Sequence, residues 1–118
     1  MLKLCTKVNS LIDLMHNYKY FFFDMDGVIW KGDEPIQRAS DTINQLIQNN
    51  KKIIYITNTS TKSRKTLIEK LKKFNLNADI DDVHSSSSIA AYYLKNNYPN
   101  TKCYVIGMSG ICEELQEQ

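Results

Sequence analysis

The sequence predicts an α/β fold with a parallel sheet. Three observations carry that expectation: apolar runs at residues 20–23 and 53–56 that each end in polar residues, stretches of helical periodicity between and after them, and a third apolar run at residues 103–106. Strand alternating with helix brings successive strands side by side in one direction, with the helices layered on the sheet.

Leu4, Val8, Leu11, Ile12 and Met15 form the stripe of an amphipathic helix ending near His16 and Asn17. Tyr20, Phe21, Phe22 and Phe23 are uninterrupted and closed by Asp24, which predicts a short strand buried on both faces. Residues 24–35 contain two Gly and one Pro without a sustained period and read as a loop. Pro35 is expected to open a helix with the stripe Ile36, Ala39, Ile43, Leu46 and Ile47, closed by Asn49 and Asn50. A second strand covers residues 52–56 and ends in Thr57, Asn58, Thr59 and Ser60. The next helix carries Leu67, Ile68, Leu71 and Phe74. After a turn through residues 75–82 come Val83, a run of four serines, and a helix with Ile89, Ala90, Tyr93 and Leu94 that stops at Pro99. Residues 103–106 read as a last strand, leading through Gly107 and Gly110 into a helical segment with Ile111, Cys112 and Leu115.

The 118 residues allow one small domain, and Leu, Ile, Val and Phe exceed the roughly one-fifth below which charged chains stay disordered. A net charge of +2 is too small for a nucleic-acid or membrane partner to be expected. Lys62, Arg64, Lys65, Lys70, Lys72 and Lys73 alternate with apolar residues and read as a solvated helix face. No apolar run approaches the roughly twenty residues of a spanning helix, so neither a membrane span nor a signal peptide is expected. Cys5, Cys103 and Cys112 are odd in number and form no CxxC pair, which makes buried or incidental thiols in a cytoplasmic protein the expectation.

In a parallel sheet the strand carboxyl ends share one edge, and ligands bind just beyond it. Here Asp24-Met25-Asp26-Gly27 follows one strand and Thr57-Asn58-Thr59-Ser60 the other. The first cluster offers two carboxylates; the second offers hydroxyls and backbone N–H groups at a helix start, an anion site. Carboxylates facing an anion make chemical sense with Mg²⁺, which takes one or two carboxylates plus phosphate oxygens and water. A carboxylate can then attack phosphorus, and a second carboxyl two residues on can serve as general acid and base. Gly27 permits the sharp turn that lets the two converge. Taken singly, a DxDG also solvates loops, and Ser, Thr and Asn also cap helices; the conjunction is what points to chemistry. No EF-hand, GxGxxG or P-loop spacing occurs, and no later strand ends in the Asp or Lys that a phosphoacceptor receiver domain would need.

FFFDMDGVIWKGDEPI followed by IYITNTSTKSR resembles the haloacid dehalogenase superfamily of phosphatases. The likeness is to its capped branch, which contains 4-nitrophenyl phosphatase, phosphoglycolate phosphatase and pyridoxal phosphate phosphatase. VHSSSSIAAYYL and KCYVIG extend the likeness over most of the chain from Tyr20 onward. The resemblance implies a partial doubly wound, Rossmann-like core and hydrolysis of a small phosphorylated metabolite. Asp24 would be the nucleophile and a Mg²⁺ ligand, and Asp26 the acid/base that also gives the metal its backbone carbonyl. Thr57 would hold phosphoryl oxygens through its hydroxyl, with Asn58, Thr59 and the following amides completing the cradle and Gly27 at the turn beside it. Many relatives have a second Asn where this chain has Thr59. Trp30, Lys31 and Gly32 match the flap after the nucleophile.

The same resemblance implies a later Lys and a later acidic motif beginning Gly-Asp, and neither is found. Lys102 precedes its strand, Gly32-Asp33 lies in the flap, and Glu113 and Glu114 read as a solvated helical face. The expected organisation is an N-terminal helix over residues 1–18, the N-terminal part of a core over 19–98, and the start of a cap over 99–118. With no stop signal near Gln118, the chain is expected to be a fragment of a longer enzyme. The alternative is a non-catalytic or weakly active partial domain that retains the nucleophile loop. A cut sheet would expose a strand edge and apolar surface, which predicts self-association.

Overall fold

The computed structural model describes residues 10–117 and bears out the α/β architecture. In chain order the elements are α1 (Leu11–Asn17), β1 (Tyr20–Asp24), β2 (Trp30–Lys31), β3 (Glu34–Pro35), α2 (Ala39–Gln48), β4 (Lys52–Thr57), α3 (Arg64–Lys73), β5 (Val83–Ser85), α4 (Ser86–Asn97) and α5 (Ser109–Gln116). The main sheet has the order β1-β4-β5 with both pairings parallel. β2 and β3 form a small antiparallel hairpin of their own.

The core lies on one face of the main sheet. Strand alternation places Ile53, Tyr55 and Val83 there, against Ile43 and Leu46 of α2 and Leu67 and Leu71 of α3. Each fully buried leucine contributes about 2 kcal/mol. Met25, Ile29 and Trp30 close one end of this core from the loop that follows β1. Asn50 and Asn75, both with positive φ, end α2 and α3 by adopting the left-handed conformation that helix termini favour.

Several expectations are corrected. β1 is not buried on both faces: it is the edge of the three-stranded sheet, and Phe22 is 63% exposed on the side away from the core. Ser10 has extended backbone, and its side chain accepts a bond from the Ile12 N–H, so α1 starts at Leu11; Leu4, Cys5 and Val8 lie outside the described residues. Pro35 does not open a helix. It pairs with Trp30 in the β2–β3 hairpin, an edge position where its missing N–H costs nothing, and α2 begins at Ala39. Residues 103–106 form no strand, because no described strand lies beside them to satisfy their backbone, and Tyr104 is 94% exposed. Cys103 and Cys112 are exposed rather than buried. In α4 the packed face is Ser87, Ser88 and Ala91, while Ile89 and Tyr93 point outward. No described helix is long and apolar enough to cross a membrane.

Tyr55 lies at the centre of the core, and its hydroxyl is buried with no hydrogen-bond partner among the described residues. Burial, reinforced by the nearby Asp82 carboxylate, pushes its phenol up to about 12. The fold therefore favours the neutral phenol. That preference is fully effective below pH 10 and is lost as the pH rises toward 12, because the unfolded chain ionises first. Denaturant titrations should show stability falling by up to about 1.4 kcal/mol per pH unit across that window. Tyr55→Phe should remove this pH dependence and gain about 1 kcal/mol at neutral pH.

Candidate active site

The parallel register sets the geometry. Asp24 is the register partner of Ile56, and Thr57 that of Ser85, so the ends of β1, β4 and β5 emerge at one edge. Asp24 and Thr57 thus sit on neighbouring strands, as the sequence predicts. They do not share a face: Thr57 lies on the core side with Tyr55 and is buried, whereas Asp24 lies on the opposite side with Ile56 and is exposed. The two polar clusters leave the sheet at the same edge, with Asp24 and Thr57 on opposite faces.

After β1 the chain winds tightly. The Met25 carbonyl accepts from Val28, Ile29 and Trp30 N–H groups at 3.3, 2.9 and 3.3 Å, and the Gly27 N–H donates to the Trp30 carbonyl at 2.7 Å. Gly27 takes φ +84°, which suits a residue without Cβ. Burial of Met25 and Ile29 leaves the alternate residues Asp24 and Asp26 in solvent. One Asp24 oxygen accepts from the Met25 N–H at 2.8 Å. One Asp26 oxygen accepts from the Trp30 indole N–H at 2.8 Å.

Trp30 is itself held from several sides. Phe74 tilts against it at 5.8 Å, and Lys70 of α3 places its ammonium 4.7 Å from the ring centre. Lys70 also donates to the Gly32 carbonyl and pairs with Asp33 at 3.3 Å. Trp30 is therefore neither a plain loop anchor nor an exposed flap tip; it links the core to an acidic side chain of the site. Lys70 correspondingly leaves the solvated face expected for this helix.

The loop after β4 is braced by neighbours distant in sequence. The Thr59 N–H approaches the Thr57 hydroxyl at 3.3 Å, and the Thr59 and Thr61 hydroxyls lie 3.0 Å apart. Ser86 donates to the carbonyls of Asn58 and Thr59. α5 closes the far end. Gly110 packs so tightly that a Cβ there would lie 2.5 Å from the Lys62 carbonyl carbon. Glu114, only 1% exposed, accepts from the Arg64 backbone N–H at 2.6 Å and from its guanidinium at 2.9 Å. The solvated face expected for Glu114 is thus overturned: its carboxylate caps α3 at its first turn. Lys65 and Glu117 add an ion pair outside it. An apolar groove lined by Ile56, Thr57, Ile89 and Tyr93 runs alongside the loop.

The haloacid dehalogenase-like hydrolase family model matches residues 21–118. The chain belongs to that family. A chloroplastic phosphoglycolate phosphatase, 1A, of Arabidopsis thaliana is 42% identical over 105 residues, covering 87% of this chain and 29% of that protein. The p-nitrophenyl phosphatase of Archaeoglobus fulgidus superposes with a TM-score of 0.77 at 35% identity, over 83% of this chain and 37% of that one. A glycerol phosphate phosphatase of Mycobacterium tuberculosis, solved in complex with magnesium, shares the fold with a TM-score of 0.77 at 20% identity, over 88% of this chain and 31% of that one. The chain spans about a third of the length of the curated relatives it matches.

Ser86, Lys70 and Glu114 were not identified from the sequence as parts of the site. Only Ser86 left a local signal, its place directly after a third strand, and that strand is too short to show a period. The other two depend on contacts made across the fold. The buried Arg64–Glu114 pair yields a quantitative expectation. Glu114→Ala should destabilise the fold by about 3 kcal/mol in denaturant unfolding, since it strands a mostly buried guanidinium and uncaps α3, whereas Lys65→Ala at the exposed neighbouring pair should change stability far less.

Proposed function

We propose that this chain carries the nucleophile side of a Mg²⁺-dependent phosphomonoesterase that works through an aspartyl-phosphate, with a small phosphorylated metabolite as substrate. The observation that supports it most is the emergence, at one sheet edge, of the Asp24–Asp26 turn and the Thr57 loop from neighbouring strands, in a family member whose relatives are named phosphatases.

The donor set fits the metal. Asp24 would supply a carboxylate oxygen and Asp26 its backbone carbonyl oxygen, two hard ligands from one turn, and Mg²⁺ commonly takes only one or two carboxylates beside phosphate and water. When bound, the ion supplies charge neutralisation between the carboxylates and an incoming phosphate. The covalent work belongs to the side chains. A carboxylate oxygen of Asp24 attacks phosphorus, and the bond from phosphorus to the ester oxygen breaks as the new one forms. Asp26 donates its proton to the departing alkoxide. The Trp30 indole engages one Asp26 oxygen and leaves the other to carry that proton. Asp26 then takes a proton from water, whose oxygen attacks the aspartyl-phosphate; inorganic phosphate leaves and Asp24 is restored. The Thr57 hydroxyl and the Asn58, Thr59 and Ser60 amides hold the phosphoryl oxygens.

A second reading, a non-catalytic partial domain, is favoured by one observation. Among the described residues no third His, Cys, Asp or Glu joins the two carboxylates, and no lysine forms an ion pair with Asp24.

Hydrolysis of an aryl phosphate by the chain, with and without Mg²⁺, separates the two. Under the first reading turnover requires the metal, Asp24→Asn abolishes it, and Asp26→Asn lowers it by about 10²–10⁴-fold. Activity surviving in Asp24→Asn would sink the nucleophile assignment. Absence of turnover with phosphate still bound would identify the second reading.

The apolar face of the sheet bears on partners. Tyr20, Phe22 and Ile56 are exposed together on it, with Ile89 and Tyr93 of α4 nearby. A second copy of the chain is the proposed cover. Sedimentation velocity should show concentration-dependent association that Phe22→Glu shifts toward monomer.

A further inference from the structure

The serine run at the start of α4 divides into two jobs, and only one of them is helix capping. Ser85 and Ser88 form a reciprocal capping box: the Ser85 N–H donates to the Ser88 hydroxyl at 2.9 Å, and the Ser88 N–H donates to that of Ser85 at 3.1 Å. Ser86 takes no part in that box. Its hydroxyl reaches across to the loop after β4 and lies 3.0 Å from the Asn58 carbonyl oxygen and 2.9 Å from that of Thr59. A hydroxyl has one proton, so these two consecutive carbonyls share it.

That contact dictates where the loop's N–H groups point. The described peptide bonds are all trans, and in a trans peptide the carbonyl and the N–H of one unit face opposite ways. With the Asn58 carbonyl turned to Ser86, the Thr59 N–H faces away from it. With the Thr59 carbonyl turned likewise, so does the Ser60 N–H. The Thr59 N–H is found on the side this requires, 3.3 Å from the Thr57 hydroxyl. Were either unit to flip, it would present a carbonyl oxygen, the wrong end of its dipole, to an anion on that side.

We infer that Ser86 is a positioning residue: it orients the Asn58–Thr59 and Thr59–Ser60 peptide units so that their N–H groups turn away from it, to the side of the Thr57 hydroxyl, where the phosphoryl oxygens would bind. The destination of those groups rests on the proposed phosphatase reading; their orientation by Ser86 does not. Ser86 is exposed and lies at the first residue of α4, outside the capping box, so Ser86→Ala leaves the helix start intact.

Amide NMR of the full chain, free and titrated with inorganic phosphate, tests both parts. In Ser86→Ala the Thr59 and Ser60 amide resonances should move in the free protein, and phosphate affinity should fall by roughly three- to tenfold, the share of one hydrogen bond. Ser86→Thr, which keeps the hydroxyl, should restore both. Unchanged loop amides and unchanged affinity in Ser86→Ala would overturn the inference and leave the phosphate site standing. Loop amides that respond to Ser86→Ala but not to phosphate, in any variant, would support the orienting role and overturn the phosphate reading.

Discussion

Parallel pairing on both sides of β4 is the constraint from which the rest of the structure follows. A parallel pair has to be joined by a crossover, so β1 and β4 are separated by α2, and β4 and β5 by α3, with both helices on the face that buries Ile53, Tyr55 and Val83. The same parallelism sends three strand ends out at one edge. Asp24, Thr57 and Ser85 therefore become neighbours although Asp24 and Ser85 are some sixty residues apart. An antiparallel arrangement of the same strands would have scattered their polar ends to opposite edges.

A sheet edge made of irregular backbone needs bracing, because each turned-out N–H and carbonyl requires a partner. The braces here come from elements that carry no chemistry themselves. The loop after β1 is tied through Trp30 to Lys70 on α3, and the loop after β4 is held by Ser86 at one side and by Gly110 and Glu114 at the other. α3 belongs to both networks: its first turn receives the Glu114 carboxylate and its last turn secures the flap. The rigidity of the site is thus distributed between α3, α4 and α5. Asp24 and Asp26 stay exposed while Trp30, Gly110 and Glu114 are buried.

The legible part of the fold follows local rules. The α3 stripe of Leu67 and Leu71, the strand at 52–57, the Asn stops after α2 and α3, and the DxDG turn with its positive-φ glycine all agree with what their own residues prefer. The misread parts are those where a neighbour overrides the local signal. Pro35 has a helix-opening context yet pairs with Trp30. Residues 103–106 have strand composition but no described strand beside them. α4 buries serines and leaves Ile89 and Tyr93 outward, because its first turn is pinned to β5 and to the loop after β4.

From the sequence alone came the fold class, the two clusters bearing chemistry, and the family resemblance that joins them. These are encoded in short contiguous stretches, where periodicity, turn chemistry and residue type act over a few positions. Tertiary structure decided which side chains support those clusters. A buried Glu114 and a solvated Glu113 are adjacent and chemically identical in sequence, and only the approach of Arg64 from fifty residues away separates them. The same holds for Ser86 among four serines: the capping box selects Ser85 and Ser88, and the carbonyls of a distant loop select Ser86. Desolvation and hydrogen-bond partnership are properties of the assembled fold, so a one-dimensional pattern cannot assign them.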